Sequence, residues 1–227
     1  DGVVGEPVSR IEFANLHSVL PSRDGRFAYF VSLGDDLIAQ YAIGDDLQLL
    51  PLDPPTVAAP AGSGPRHLVL NGAEDAVYVL TEFSGEILHY ARDAESGVLT
   101  YVGAADVVNP AHELGHSVFG ADPMVNHYIW GADLHFGAGG QYLWSSERTE
   151  STLSAAAVAA DGTVAPAASF IVTEPQPRGF VVSADGAWLV ASGERSQTVT
   201  LYAVNGDQLE LLQQVETGGG ANWVRFV

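Results

Sequence analysis

Cysteine and lysine are both absent from this chain of 227 residues, and each absence excludes a group of chemistries. Without cysteine there is no disulfide framework, no thiolate nucleophile and no thiolate metal site. Without lysine there is no Schiff-base lysine, no pyridoxal phosphate enzyme and no P-loop lysine, because each of these needs a primary amine. All nine basic residues are therefore arginines.

Positive charge is scarce, which limits the partners that the chain can bind. The formal net charge is −19, whereas nucleic acids and anionic membranes bind basic surfaces. No apolar run approaches the roughly 20 residues of a membrane-spanning helix. We expect neither nucleic acid nor a membrane as a partner, and any site for an anionic ligand has to be formed locally by clustered arginines.

What the chain does contain is one strand pattern repeated four times. The repeats align on Tyr29, Tyr78, Trp144 and Val190, which are separated by 49, 66 and 46 residues. Each of these anchors lies in an apolar strand that follows a small turn, and the end of another strand comes 12 residues later. A period of about 45 to 50 residues with several short strands per unit is typical of β-propeller blades.

The sequence therefore predicts an all-β fold, a single β-propeller domain over residues 1–227 with four antiparallel strands in each blade. Each fourth strand is expected to follow an acidic or glycine turn, which in the third unit is at 162–164. Residues 1–13 look like the end of an earlier unit and 222–227 like the first strand of a fifth, so we expect about four blades of a larger ring. Residues 103–132 are predicted to form an insertion loop, and long loops of this kind are often functional.

Charged side chains collect at one predicted edge of these sheets. In an antiparallel meander, the start of the first strand and the end of the second strand lie at the same edge. The residues expected there are His17, Arg66, His67, Glu82, Asp133, Arg148, Arg178 and Glu194. Three arginines and two histidines at one edge favour a site for an anionic substrate, although any single member could instead cap a strand or pair with a neighbouring blade.

Several short motifs carry a family resemblance. They are Gly64-Pro65-Arg66-His67, Thr81-Glu82, Trp130-Gly131-Ala132-Asp133-Leu134-His135, Glu147-Arg148-Thr149, Gln176-Pro177-Arg178-Gly179-Phe180 and Trp223. With these motifs in order at blade spacing, the chain from about residue 14 onward resembles the seven-bladed propeller lactonases of the bacterial 6-phosphogluconolactonase/cycloisomerase type. The resemblance implies a seven-bladed ring that extends beyond this chain by roughly two blades and part of a third. It also implies hydrolysis of 6-phosphogluconolactone in the pentose phosphate pathway, in the cytoplasm and without a cofactor.

The resemblance also suggests roles for the clustered residues. Fungal enzymes of the same fold that lactonise carboxymuconate have a His, two Arg and a Glu in their central site, and His17, Arg66, Glu82 and Arg148 match these best. For lactone hydrolysis we expect Glu82 or His17 as the general base and the two arginines at the lactone carbonyl. Arg178 is expected to bind the substrate phosphate through its planar fork. His67, Asp133 and Glu194 complete the expected substrate-binding set.

One motif points to a different chemistry. His112-Glu113-Leu114-Gly115-His116 is a His-Glu-x-x-His sequence, and on a helix its two histidines could bind zinc with the glutamate as base. Asn109-Pro110 is a plausible helix start. The alternatives are a surface loop that happens to carry two histidines, a metal site without protease activity, and a metallopeptidase. A further alternative for the whole chain is a non-catalytic propeller that binds another protein, because fold does not determine function.

Overall fold

The computed structural model describes residues 5–226. Its regular secondary structure is almost entirely β-strand, and the strands form four four-stranded antiparallel sheets. The first sheet contains β1 (Leu16–Pro21), β2 (Phe27–Ser32), β3 (Leu37–Ile43) and β4 (Leu49–Ala58). The second contains β5 (Pro65–Leu70), β6 (Ala76–Thr81), β7 (Glu86–Arg92) and β8 (Leu99–Asp106). The third contains β9 (Gly131–Phe136), β10 (Tyr142–Glu147), β11 (Thr152–Ala157) and β12 (Ser169–Val172). The fourth contains β13 (Gly179–Val182), β14 (Trp188–Ser192), β15 (Thr198–Asn205) and β16 (Gln208–Glu216). The predicted propeller fold with four strands per blade is thus confirmed.

The core consists of three apolar clusters that fill the spaces between neighbouring sheets. Central strands are buried on both faces, and every residue of β6 is buried. This explains why β2 and β6 are apolar almost throughout instead of alternating with polar residues. Two of the aligned aromatic anchors also connect adjacent blades. Tyr29 donates a hydrogen bond to Gly97 O (2.7 Å), and Tyr78 donates one to Gly162 O (2.9 Å), each in a turn of the following blade.

Two details of the predicted pattern within the blades are wrong. The fourth strand of the third blade is β12, not 162–164, where Val164 forms only an isolated bridge to Val158. Pro166 lies between the two segments and has no N–H for a ladder hydrogen bond, so continuous pairing with β11 resumes only at Ser169. Residues 103–106 belong to β8, and the connection therefore spans 107–130. It contains a 3₁₀ turn (Pro110–His112) and one short helix, α1 (Pro123–Asn126).

The segment 222–226 is not a strand, and Val227 lies outside the described residues. A strand is stabilised by pairing, and none of the sheets formed within 5–226 pairs with this segment. It runs instead beside the start of β13, where a side chain at Gly179 would meet Asn222 O at 2.7 Å. Residues 5–13 likewise form no strand, and 1–4 lie outside the described range. Within the described part of the chain, no helix is long and apolar enough to cross a bilayer.

The register brings the start of each inner strand next to the end of the second strand, as predicted. Pro65 pairs with Thr81, Gly131 with Glu147 and Gly179 with Ser192. The inner strands β1, β5 and β9 each carry a register shift at this edge. In β1 and β5 the extra residue is His17 and Arg66, respectively. A β-bulge re-aims the side chains around it, and here it does so at equivalent places in successive blades.

Candidate functional site

The edge of the second, third and fourth sheets carries a chain of alternating charges. Arg66 Nε donates to Glu82 Oε2 at 2.7 Å, and the same oxygen lies 3.3 Å from Arg148 Nη2. Arg148 Nη1 lies 3.7 Å from Glu194 Oε2, and Glu194 Oε1 accepts from Arg178 Nη1 at 2.9 Å. Three guanidinium groups are therefore interlocked with two carboxylates, which leaves this network one positive charge in excess within a strongly acidic chain.

Glu82 is held by three donors. Its Oε2 faces Arg66 and Arg148, while its Oε1 accepts the indole N–H of Trp130 at 3.2 Å. The face of the Trp130 ring also stacks on Arg148, whose guanidinium carbon lies 3.8 Å from the ring centroid. Such cation–π contacts favour a charged guanidinium at a fixed place. Glu82 and Trp130 together set the position of Arg148.

Two of the arginines are almost completely buried, Arg66 at 1% and Arg148 at 2% exposure. Burial lowers the pKa of Arg66, and burial followed by the nearby Arg66 charge lowers the pKa of Arg148 to about 9. Both guanidinium groups remain charged at neutral pH. Arg66 also donates to Ala132 O in the next blade. That approach depends on Gly131, where a Cβ would lie 2.3 Å from Thr81 O.

A second group centres on the buried carboxylate of Asp133. Its Oδ1 accepts His67 Nδ1–H at 2.6 Å and the Leu134 amide at 2.9 Å. Its Oδ2 accepts from His135 Nε2 at 3.2 Å and from the Phe180 amide at 3.3 Å. Burial by itself would raise the pKa of Asp133, but the hydrogen bonds from the two histidines outweigh it and hold the pKa below its ordinary value. Asp133 is therefore an ionised carboxylate.

A further histidine, His17, packs against His67. The rings of His17 and His67 are 5.1 Å apart between centroids. Burial lowers the pKa of His67, although Asp133 partly opposes the shift. His17 is solvent-exposed on one side. The protein atoms that bury the rest of its ring, and then the charge of Arg66, lower the pKa of His17 well below its ordinary value. Both rings are neutral at pH 7.

A cavity of about 450 Å³ opens onto these groups. It falls within the range of roughly 300–1,000 Å³ that is usual for small-molecule sites. The lining residues are His17, Ser18, Val19, Arg66, His67, Arg178, Asn222 and Trp223. A second cavity of about 470 Å³ adjoins it, sharing Ser18, His67 and Trp223, and continues along the inner strands over mainly apolar side chains. The wall of the first cavity thus carries the guanidinium groups of Arg66 and Arg178 and the imidazole rings of His17 and His67. Glu82, which does not line the cavity, contacts both Arg66 and Arg148.

The comparison with known proteins identifies the family. The family model described as Lactonase, 7-bladed beta-propeller matches residues 2–226. The chain belongs to this family of propeller lactonases. The family resemblance inferred from the short motifs is thereby confirmed.

Curated 6-phosphogluconolactonases are similar over nearly the whole chain. The 6-phosphogluconolactonase of Cronobacter sakazakii is 30% identical over 227 residues, which are 99% of this chain and 64% of that protein. The 6-phosphogluconolactonase of Sodalis glossinidius is 31% identical over 226 residues, 98% of this chain and 64% of that protein. This chain therefore spans a little under two thirds of the length of these relatives.

Solved structures of other proteins have the same fold. The periplasmic gluconolactonase PpgL of Pseudomonas aeruginosa superimposes with a TM-score of 0.75 at 26% identity, covering 90% of this chain and 55% of that one. A protein from Lactobacillus plantarum gives a TM-score of 0.80 at 25% identity, covering 93% and 58%. The four blades of this chain therefore correspond to part of a longer ring in these proteins.

All eight residues predicted for the lactonase site lie at one edge, as the register argument required. Seven of them contact one another within the two groups described above. His17, the eighth, packs on His67. Three further residues were not among the predicted site residues: Trp130, His135 and Trp223. Each lies in one of the motifs that carried the family resemblance, so the signal was in the sequence. Spacing alone does not show that Trp130 contacts both Glu82 and Arg148.

The His-Glu-x-x-His segment does not form the helix that the zinc-site alternative requires. The 3₁₀ turn ends at His112, and Glu113 adopts the left-handed conformation with φ 51°. The two histidines are therefore not one helical turn apart on one face. In addition, His116 Nδ1–H donates a hydrogen bond to Ser117 O at 2.7 Å. Across 5–226, no three His, Asp or Glu side chains are grouped closely enough to hold a metal ion. The structure thus supports the surface-loop alternative for this motif.

Proposed function

We propose that this protein hydrolyses the lactone ring of an anionic sugar lactone, with 6-phosphogluconolactone as substrate and 6-phosphogluconate as product. The observation that carries this proposal is the interlocked set of three arginines and two glutamates at the wall of a cavity in a member of the lactonase family. This hydrolysis would be a step of the pentose phosphate pathway. The small-molecule lactone is the proposed partner, and no cofactor is required for the reaction.

Arg66 is the group best suited to stabilise the charge that develops on the lactone carbonyl oxygen. It lines the cavity, and its orientation is fixed by Glu82 and by Ala132 O. A donor that is already in place spends no energy on reorganising during the reaction, and loss of one such donor typically costs about 2.7–4 kcal/mol in the transition state. Arg148, held by Glu82 and Trp130, supplies further positive charge behind it.

Arg178 is the group best suited to bind the substrate phosphate. It also lines the cavity, and its side chain is 40% exposed, in contrast to the buried Arg66 and Arg148. Glu194 holds one guanidinium nitrogen at 2.9 Å. The rest of the planar fork is then available for a bidentate contact with phosphate oxygens. This contact distinguishes a phosphorylated lactone from plain gluconolactone, the substrate type that the name of PpgL indicates for that protein.

The test is hydrolysis of freshly made 6-phosphogluconolactone by the protein at its full natural length, with and without a chelator. We expect activity that survives the chelator and falls roughly 100-fold or more in Arg66→Ala, in line with the loss of one oxyanion donor. Arg23→Ala is the matched control, because Arg23 is an exposed arginine that contacts Glu74 away from the cavity. Undiminished turnover in Arg66→Ala would contradict the assignment.

Phosphate binding is tested by the pair of substrates. Arg178→Ala should raise KM for the phosphorylated lactone and leave KM for plain gluconolactone nearly unchanged. An equal effect on both would assign Arg178 to the ring and not to the phosphate. A wild-type preference for the plain lactone would favour gluconolactonase activity. Failure to hydrolyse either lactone would instead favour a muconate-type cycloisomerase or a non-catalytic propeller.

We further propose a cytoplasmic location, which follows from the family resemblance to enzymes of the pentose phosphate pathway. Absence of cysteine agrees with this location without requiring it. A related protein, PpgL, is named as periplasmic. Fractionation of cells that express the natural protein distinguishes the two compartments.

A further inference from the structure

Lactone hydrolysis needs a group that takes a proton from water, and the structure gives three neighbouring candidates very different environments. The carboxylate of Glu82 is already engaged by three donors. Arg66 and Arg148 both contact its Oε2, and Trp130 donates to its Oε1. A proton on this carboxylate would cancel the negative charge that two buried guanidinium groups share, and leaving a buried charge without its partner is costly.

His17 lacks a partner for the proton that it would gain. The described structure records no carboxylate within salt-bridge distance of its ring. Arg66 and Arg178 line the same cavity wall and repel an imidazolium, and at His17 no carboxylate offsets this repulsion as Asp133 does at His67. The pKa of His17 is lowered accordingly, first by burial and then by the charge of Arg66. His17 is thus a weak base in its place.

His67 has the opposite arrangement. Its Nδ1 lies 2.6 Å from the Asp133 carboxylate, and its Nε2 lies 3.3 Å from Arg66 Nη1. An ionised carboxylate only accepts and a guanidinium only donates, so Nδ1 carries the hydrogen and Nε2 carries the lone pair. The basic nitrogen is therefore Nε2, and the residue lines the cavity. Its lone pair faces Arg66 Nη1, so a water that gives its proton to Nε2 takes the place of this 3.3 Å contact. A carboxylate on the far nitrogen both fixes this tautomer and stabilises the imidazolium that forms.

We propose that His67 Nε2 is the general base of the hydrolysis, with Asp133 as the residue that positions it and His135 as a second support of that carboxylate. This inference rests on the proposed lactonase function and replaces Glu82 and His17 as the expected base. Glu82 becomes a positioning residue for Arg66 and Arg148. His17 becomes a neutral wall of the site, packed against the base.

The proton transfer balances in two steps. As the water oxygen bonds to the lactone carbonyl carbon, one water proton moves to His67 Nε2. The carbonyl π electrons move onto the carbonyl oxygen, which faces Arg66. When the carbonyl re-forms, the bond from its carbon to the ring oxygen breaks. The proton on Nε2 then moves to that ring oxygen, which leaves as a hydroxyl group. One water is consumed, and the product is a hydroxy acid.

The charges around His67 decide how it titrates. The titratable and charged groups that face it from the surrounding elements are His17 of β1, Arg66 of β5, Asp133 and His135 of β9, Arg178 just before β13, and Arg225 of the C-terminal segment. Burial lowers the pKa of His67 and Asp133 opposes that shift. The base is therefore unprotonated at neutral pH, and the acidic limb of the rate profile should lie below the ordinary histidine pKa of about 6.5.

The test combines kinetics and NMR on the protein at its full natural length. In His67→Gln, kcat for 6-phosphogluconolactone should fall about 100-fold or more, the usual contribution of a general base, with a smaller change in KM. The acidic limb of kcat/KM should disappear and be replaced by a rate that rises with hydroxide. Asp133→Asn should lower kcat comparably, because an amide no longer enforces the tautomer. His127→Gln, at an exposed histidine of the 107–130 connection, is the matched control and should leave both unchanged.

Long-range proton–nitrogen NMR of the wild type reads the tautomer without relying on activity. The His67 signals, identified by their loss in His67→Gln, should be those of a neutral ring protonated at Nδ1. A ring protonated at Nε2 would overturn the inference even in an active lactonase. So would an unchanged acidic limb in active His67→Gln, which would leave the lactonase function standing. A wild type that hydrolyses no lactone would overturn both the proposed function and the role of His67 in it.

Discussion

Replacing Glu82 by Gln removes the carboxylate that two buried guanidinium groups share. Arg66 is 1% exposed and Arg148 2%, and Glu82 Oε2 lies 2.7 Å and 3.3 Å from their nitrogens. Gln has nearly the same volume, so the change tests charge rather than packing. Its single carbonyl oxygen can face the arginines or the Trp130 N–H, but not both. The variant should therefore leave buried positive charge uncompensated.

The magnitude follows from burial. Breaking a buried ion pair by removing one partner costs about 3–5 kcal/mol. A domain of this size changes Tm by about 2–4 °C per kcal/mol, so Tm should fall by roughly 6–20 °C. Glu194→Gln is the matched control. Its main partner Arg178 is 40% exposed and its contact with Arg148 is 3.7 Å, so that change should cost no more than about 1 kcal/mol.

Urea unfolding and calorimetry of both variants provide the measurement. Adding Arg148→Met to Glu82→Gln should restore part of the lost stability, because it removes one of the two uncompensated charges. Equal losses in Glu82→Gln and Glu194→Gln, or a loss below about 1 kcal/mol in Glu82→Gln, would refute the view that burial makes this carboxylate essential.

Two further predictions concern the neighbours of this network. Stability should fall as the pH drops below about 6.5, since an unfolded histidine then takes up a proton that the folded His67, with its lowered pKa, does not. Urea unfolding at pH 7.5 and 5.5 should show a smaller pH effect in His67→Gln than in the control His127→Gln, and equal slopes would contradict this. Trp130→Phe keeps a ring against Arg148 but loses the indole N–H to Glu82, so kcat should fall about tenfold, the equivalent of one hydrogen bond of roughly 1.4 kcal/mol. Trp130→Leu, which also loses the stacking, should be clearly worse, and equal activity of the two variants would assign no role to the ring.

Much of the fold was predictable from the sequence because blade structure is governed by short-range rules. The apolar strands around Tyr29 and Tyr78 and the turns between them fix a meander, and a meander fixes which strand ends share an edge. Glu82 and Arg148 were predicted there from their offset of four residues from the aligned anchors, and both lie there. These rules predicted the wrong position for one strand, the fourth of the third blade. Pro166 postpones the fourth strand of the third blade to Ser169, beyond the glycine turn that marked it.

The sequence by itself determined the repeated blades, the edge that carries the charged residues and the membership of the lactonase family. Only the tertiary structure decided which of those residues contact one another and how their side chains are oriented. The bulge at Arg66 turns that side chain toward Glu82 and Ala132, and such a shift depends on how whole strands pack. His67 meets Asp133 across two blades and 66 positions of sequence. Its tautomer arises from that contact and its lowered pKa from burial, and both exist only when the sheets have packed together.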